Sequence, residues 1–329
     1  MVRLRLLMRS MYCAKKIKYL RNDKRMNTNV KTKDTLLITG ASGFIGGHLT
    51  KQASSDWKVA GTRHRNNTPL NDADELIQLD ITDKNSVMSA VKEISPSVVI
   101  HCAAITNAEY CAKNKELSEA INITGTENIA LASSGIGAHL VFISSDQVFD
   151  GNAGYYNETA LPSPICFYGK TKLEGEKIVN KINNSYTIAR LAWTYGKSIN
   201  HSKNFLDRMI NDLEQKQQVN LFFDEFRSPV YVQDLCTALL ALAKNRMPGI
   251  FHLAGPERIS RLDFGYKAAE CFGFDKSLIT CSSSDSINFP DKRPKDCSFV
   301  NTRLVSPLAN FRSVTDGLAA IKSQKDAII

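Results

Sequence analysis

At 329 residues, 43% of them hydrophobic and 23% charged, the chain has the composition of an ordinary globular protein, long enough for one large domain with a satellite lobe or for two domains. Its formal charge of +9 sits in residues 1–34, where 11 Lys and Arg face only Asp23 and Asp34; the remainder balances 31 basic against 31 acidic side chains, which argues against a nucleic-acid surface. No apolar run reaches the roughly 18 residues of a membrane-spanning helix, so no membrane partner is expected.

The basic segment, "MVRLRLLMRSMYCAKKIKYLRNDKR", interrupts its apolar residues with Arg and lacks the unbroken core of a signal peptide. Residues 1–34 are expected to be a disordered extension, or one mis-assigned upstream of a true start at Met26, with a basic targeting segment as the alternative. The eight cysteines form no CxxC pair and the six histidines no HExxH pair. Reduced thiols in a cytoplasmic protein and no metal site are the corresponding expectations.

From residue 35 onward, short apolar runs alternate with longer amphipathic ones. The predicted strands are 35–39, 57–62, 75–79, 97–102, 139–144, 186–191 and 249–254; predicted helices lie near 44–55, 83–94, 115–133, 166–183, 204–217 and 231–244. Strands apolar on both faces and separated by helices predict an α/β fold, a doubly wound parallel sheet of the Rossmann type. The rhythm weakens after Gly196. Residues 35–195 with 230–254 are therefore expected to form the dinucleotide-binding domain, and 196–229 with 255–329 a smaller C-terminal substrate lobe.

In chain order, "LLITGASGFIGGHL" places Gly40, Gly43 and Gly46, with Phe44 and Ile45 between them, directly after the first strand. Glycines there allow a tight turn and let backbone approach a pyrophosphate at a helix N-terminus, which predicts a dinucleotide cofactor. The second strand ends in "GTRHR" without the acidic residue that takes an adenosine ribose hydroxyl. Arg63, with Arg65 nearby, is placed to meet a 2′-phosphate instead, favouring NADP(H) over NAD(H); the alternative is two solvated arginines. Asp80 and Ile81 follow the third strand as candidate adenine contacts, although Asp80 suits a turn before the next helix equally well. Ala103 and Ala104, in "HCAAIT" after the fourth strand, are small enough for a backbone to pass the cofactor.

The fifth strand, "HLVFISSDQVFDG", breaks from apolar residues into Ser144, Ser145, Asp146 and Gln147. Further on, "CFYGKTKLEGEK" sets Tyr168 and Lys172 four residues apart on one helical face. An ammonium beside a phenol favours the phenolate, and a tyrosine so placed can protonate a carbonyl oxygen as hydride reaches carbon.

The glycine turn, a Ser at a central strand end and YxxxK, in that order, resemble the extended short-chain dehydrogenases/reductases. Within them, "HCAAIT", "AINITGTENIA", "FISSDQVFDG", "YGKTKLEGE", "RLAWTYG" and "RSPVYVQDL" are similar to the dTDP-4-dehydrorhamnose reductase family, over residues 35 to about 305. The resemblance implies a catalytic set of Ser145 holding the carbonyl, Tyr168 as general acid, and Lys172 on the nicotinamide ribose tuning Tyr168. It implies hydride transfer from NADPH to the C4 ketone of a nucleotide-linked 6-deoxy-4-keto sugar. Thr106 and Trp193 fall where that family lines its sugar pocket, with core packing as the alternative for each.

Two departures stand out. Gln147 occupies a position usually aromatic in that family, and "DEFRSPV" replaces a "DQxGxPT"-like segment, putting Arg227 near the expected cleft, either as a phosphate ligand or as a surface residue. A dehydratase needs an acidic pair at 146 and 147, which Gln147 breaks; an epimerase on the same fold remains a rival. A rival of another class is a non-catalytic NADP-binding subunit resembling the regulatory beta subunit of methionine adenosyltransferase. Ser144 and Asp146 are expected to satisfy local backbone groups. The sugar, the nucleotide and the oligomeric state, a homodimer included, stay open.

Overall fold

A computed structural model describes residues 33–64, 70–199, 204–303 and 309–326. Seven strands form one parallel sheet: β1 (Thr35–Thr39), β2 (Lys58–Arg63), β3 (Glu75–Gln78), β4 (Val98–His101), β5 (His139–Ser145), β6 (Tyr186–Leu191) and β7 (Gly249–Leu253). Their order is β7-β6-β5-β4-β1-β2-β3. This is the doubly wound order with one strand added at its edge, and the direction of winding reverses between β1 and β4. Each predicted strand is found within about one residue of its expected ends, because strands buried on both faces carry an unbroken apolar signal. The basic segment and Arg65 lie outside the described residues.

Alternation along the strands feeds two cores. Leu36, Ile38 and Val141 point to one side, with Leu49 of α1 (Phe44–Ala53) and Leu235 among their neighbours. Leu37, Leu140 and Phe142 point to the other, against Val87 and Val91 of α2 (Lys84–Ile94) and Ile129 of α3 (Gly125–Gly135). Helices cover both faces: α2 and α3 lie beside α4 (Phe167–Ile182) on one, and α1 packs on a later helix, Val232–Lys244, on the other.

The residues expected to form the smaller lobe pair among themselves. Val219–Phe222 runs parallel to Ile279–Ser282, and Phe226–Arg227 antiparallel to Ile259–Ser260. Helices Arg261–Phe272 and Val314–Asp326 pack on each other, and Phe264 and Leu318 extend the core that begins at Leu36. Among the described residues no helix is long and apolar enough to cross a membrane.

Candidate active site

A cleft of about 360 Å³ opens beyond the carboxyl ends of the strands, at the reversal between β1 and β4. Gly40, Gly43, Phe44, Ile45 and Gly46 line it, together with Ala104, Thr106, Ser145, Tyr168, Lys172, Trp193 and Arg227. Twelve of the positions singled out from the sequence are thus brought to one cavity. A wider outer cleft of about 790 Å³ shares Gly43, Thr106 and Trp193 with it and continues to Phe222, Phe289 and Arg293.

The glycine turn is shaped for a ligand's backbone-close approach. Gly40 has φ +65°, and a Cβ there would lie 2.8 Å from the Ala103 Cα; a Cβ on Gly46 would lie 2.2 Å from the Gly40 carbonyl oxygen. Gly43 is the N-cap of α1 and supplies no side chain to cap it, which leaves its first N–H groups available to an anion. These features fit a dinucleotide pyrophosphate. Gly46→Ala is expected to weaken NADPH binding at least about tenfold and to cost about 1–3 kcal/mol of stability, since the clash is with backbone. A fluorescence titration and a denaturant melt measure the two.

The neighbouring β4 end is fixed by side chains. His101 Nδ1 lies 2.7 Å from Thr39 Oγ1, and the Ala103 N–H donates to the same oxygen at 3.2 Å. Burial pushes His101 down to about 3, so it is neutral and structural. A π turn, Ala120–Thr124, interrupts the helical run ahead of α3 and turns Asn122 inward. Asn122 Oδ1 accepts from the Ile105 N–H at 2.8 Å, while its Nδ2 donates to the Ile105 carbonyl at 2.9 Å and to Thr171 Oγ1 at 3.1 Å. It therefore ties the loop carrying Thr106 to the helix carrying Tyr168 and Lys172. The motif "AINITGTENIA" contained this residue, but nothing in its spacing assigned it.

At the end of β5, Ser145 Oγ donates to Asp146 Oδ1 at 3.1 Å and accepts from the Gln147 N–H at 3.2 Å. Tyr168 is buried, and that burial holds its phenol well above the ordinary tyrosine range, with a Ser145 hydrogen bond pulling the other way. The ammonium-lowered phenol anticipated from YxxxK is not the state of the free protein. Lys172 is itself lowered to about 8 by burial, with Glu176 opposing the shift. Its Nζ lies 4.3 Å from the centre of the Phe142 ring.

Glu176, one turn beyond Lys172, went unnoticed in the sequence. It is gripped by Arg190 of β6, with Nε to Oε1 at 2.9 Å and Nη2 to Oε2 at 2.7 Å, and it accepts the Ser144 hydroxyl at 2.5 Å. Ser144 thus serves a carboxylate on α4 rather than local backbone. The i+8 repeat of Tyr168, Lys172 and Glu176 was its only signal.

Arg227 is neither a surface residue nor a free phosphate ligand. It is buried, its Nη1 donates to the Phe226 and Lys295 carbonyls at 2.7 and 3.1 Å, its Nη2 donates to Pro294 at 2.9 Å, and its Nε sits 3.5 Å from Asp146 Oδ2. Burial pushes the Asp146 carboxyl up and Arg227 pulls it down. Trp193 combines both expectations: it lines the cleft while stacking edge-on against Phe205 at 5.0 Å, under the Arg261 guanidinium at 4.4 Å.

Four positions stand apart from the cleft lining: Ala103, whose N–H is tied to Thr39 Oγ1, and Arg63, Asp80 and Ile81. Arg63 ends β2 with a half-buried side chain. Asp80 takes the turn role, accepting from the Thr82 N–H and hydroxyl at 2.9 and 2.7 Å, and lies 3.5 Å from His64. The Ile81 side chain packs in the core rather than toward a cofactor, filling the space over Gly125.

The family described as RmlD substrate binding domain matches residues 34–322. Methionine adenosyltransferase 2 subunit beta of Xenopus laevis is 30% identical over 286 residues, covering 84% of each chain. A dTDP-4-keto-6-deoxy-D-glucose reductase of Streptomyces niveus is 29% identical over 266 residues, 80% of this chain and 87% of that one. The crystal structure of dTDP-4-dehydrorhamnose reductase from Bacillus anthracis, in complex with NADP, superposes with a TM-score of 0.79 at 29% identity, covering 89% of this chain and 100% of that one.

Proposed function

This chain belongs to the RmlD substrate binding domain family, and from that premise we propose that it is a reductase using NADPH, with NADH as the weaker alternative, on the C4 ketone of a nucleotide-linked 6-deoxy-4-keto sugar. The observation that carries this reading is the single cleft lined by the glycine turn together with Ser145, Tyr168 and Lys172. Its described cysteines are free thiols, which suits a reducing compartment such as the cytoplasm.

NADPH, when bound, supplies the hydride. The turn from Gly40 to Gly46 and the N-terminus of α1 would hold its pyrophosphate, and Arg63 would hold its 2′-phosphate. Ser145 rotates its hydroxyl from Asp146 to the substrate carbonyl oxygen and fixes that oxygen in place. Tyr168 keeps its proton in the free protein because burial disfavours the phenolate, and it releases that proton only as negative charge develops on the oxygen beside it. Lys172, charged below about 8, then stabilises the phenolate left behind.

The test is NADPH consumption with dTDP-4-keto-6-deoxy-mannose generated in place by an epimerase, against the same assay with NADH. Turnover with NADPH supports the reading; binding without consumption across a panel of nucleotide-linked 4-keto sugars overturns it. Arg63→Ala is expected to raise the NADPH dissociation constant about 10- to 100-fold and to leave that of NADH unchanged, as loss of a charge-assisted contact requires.

The 30% identity to a subunit of methionine adenosyltransferase favours a second reading, in which the cleft holds a dinucleotide and the chain acts by docking on a partner. The two readings separate on Tyr168→Phe, which abolishes function in the first and leaves it intact in the second.

A further inference from the structure

We propose that Gln147 is a specificity-determining residue whose side-chain N–H donors select a sugar bearing an oxygen on the ring carbon next to the reacting ketone. This rests on the reductase reading above. Gln147 lines both the inner cleft beside Ser145 and Tyr168 and the outer cleft beside Trp193. It stands where the reacting part of a substrate gives way to the remainder.

Its position is held at three points. The backbone N–H donates to Ser145 Oγ at 3.2 Å. The backbone carbonyl abuts Gly169, where any Cβ would come within 2.0 Å of the oxygen. Side-chain Oε1 accepts from the Cys166 thiol at 3.3 Å. The sulfur of Cys166 accepts the Gly169 N–H at 3.3 Å while its own hydrogen is directed to the Gln147 amide oxygen, which turns the NH₂ group away from Cys166. The Nε2 group makes no hydrogen bond among the described residues, and it is not one of their fully buried, unsatisfied polar atoms. It therefore leaves two N–H donors for the accessible cleft.

An aromatic side chain at this place would supply a ring face; the carboxamide supplies hydrogen bonds to oxygen. The Gln147 backbone holds the hydroxyl of Ser145, the group that fixes the carbonyl oxygen, so the recognised oxygen is close to the reacting carbon. In a 4-keto-6-deoxy sugar, C5 carries a methyl group and the ring oxygen, which every such pyranose shares, and C3 a hydroxyl, so the acceptor that can differ between substrates is the C3 oxygen.

The experiment compares a nucleotide-linked 4-keto-6-deoxy sugar with its 3-deoxy analogue, using wild type, Gln147→Leu and Gln147→Glu. Wild type is expected to favour the 3-hydroxy sugar about 10- to 100-fold in kcat/KM, chiefly through KM, and both variants to bring that ratio within about threefold. Gln147→Glu keeps the side-chain shape without the donors and reads the effect should the Leu variant fold poorly. An unchanged ratio in a folded variant, or no discrimination by wild type, overturns the inference. If wild type consumes no NADPH on either sugar, the reductase reading fails; calorimetric dissociation constants for the two sugars then still decide the role of Gln147.

Discussion

Tyr168→Phe is expected to lower kcat about 100- to 10,000-fold, the range supplied by a positioned general acid. NADPH affinity is expected to change by no more than a few-fold, because the ring remains and only the hydroxyl is lost. The phenol is packed against Cys111 and Cys166, with burial opposing its ionised form. Removing the hydroxyl thus costs little packing, and the folded protein should melt where wild type does. Stopped-flow turnover separates this outcome from misfolding. The pH profile carries a second signature. Lys172 is lowered to about 8, so it is charged below that pH and neutral above it, and the Lys172-dependent part of kcat/KM should fall as pH rises through about 8. Because the folded state disfavours the charged amine, this group also adds stability as pH rises from about 8 toward its ordinary value of 10.5.

Glu176→Gln is expected to destabilise the fold by about 3–5 kcal/mol, read by denaturant unfolding. The guanidinium of Arg190 is buried and makes a two-point pair with this carboxylate. Losing the charge leaves a buried cation uncompensated and weakens the Ser144 anchor between β5 and α4. The double variant Glu176→Leu with Arg190→Met should recover most of that loss, since a buried pair replaced by apolar groups of similar volume is close to neutral. Its activity should stay low if the carboxylate also helps Lys172 keep its charge. Recovery of stability without recovery of activity is the expected pattern.

The fold was largely legible because its signals are local. Seven apolar runs announced the strands, and the glycine turn and YxxxK each fall within a few residues of one another, where spacing translates directly into geometry. The rest depended on contacts across the chain. Arg227 lies next to Asp146 in space but 81 positions later, and its partners Pro294 and Lys295 come later still; nothing near it in sequence says that it is buried. Asn122 and Glu176 likewise owe their roles to partners on other elements. The inward turn of the Ile81 side chain was likewise not legible, because it depends on the space that Gly125 opens on the core side. The raised phenol of Tyr168 could not be read from spacing at all, since burial outweighs the Ser145 hydrogen bond.

The most direct measurement is transfer of label. NADPH carrying deuterium on the reactive face of its nicotinamide is mixed with the protein and a nucleotide-linked 4-keto-6-deoxy sugar, and the recovered sugar is examined by mass spectrometry and NMR. Deuterium at C4 of the product, lost in Tyr168→Phe, is the predicted result. Tight NADPH binding with an unlabelled, unreduced sugar would contradict it and leave the chain as a binding subunit.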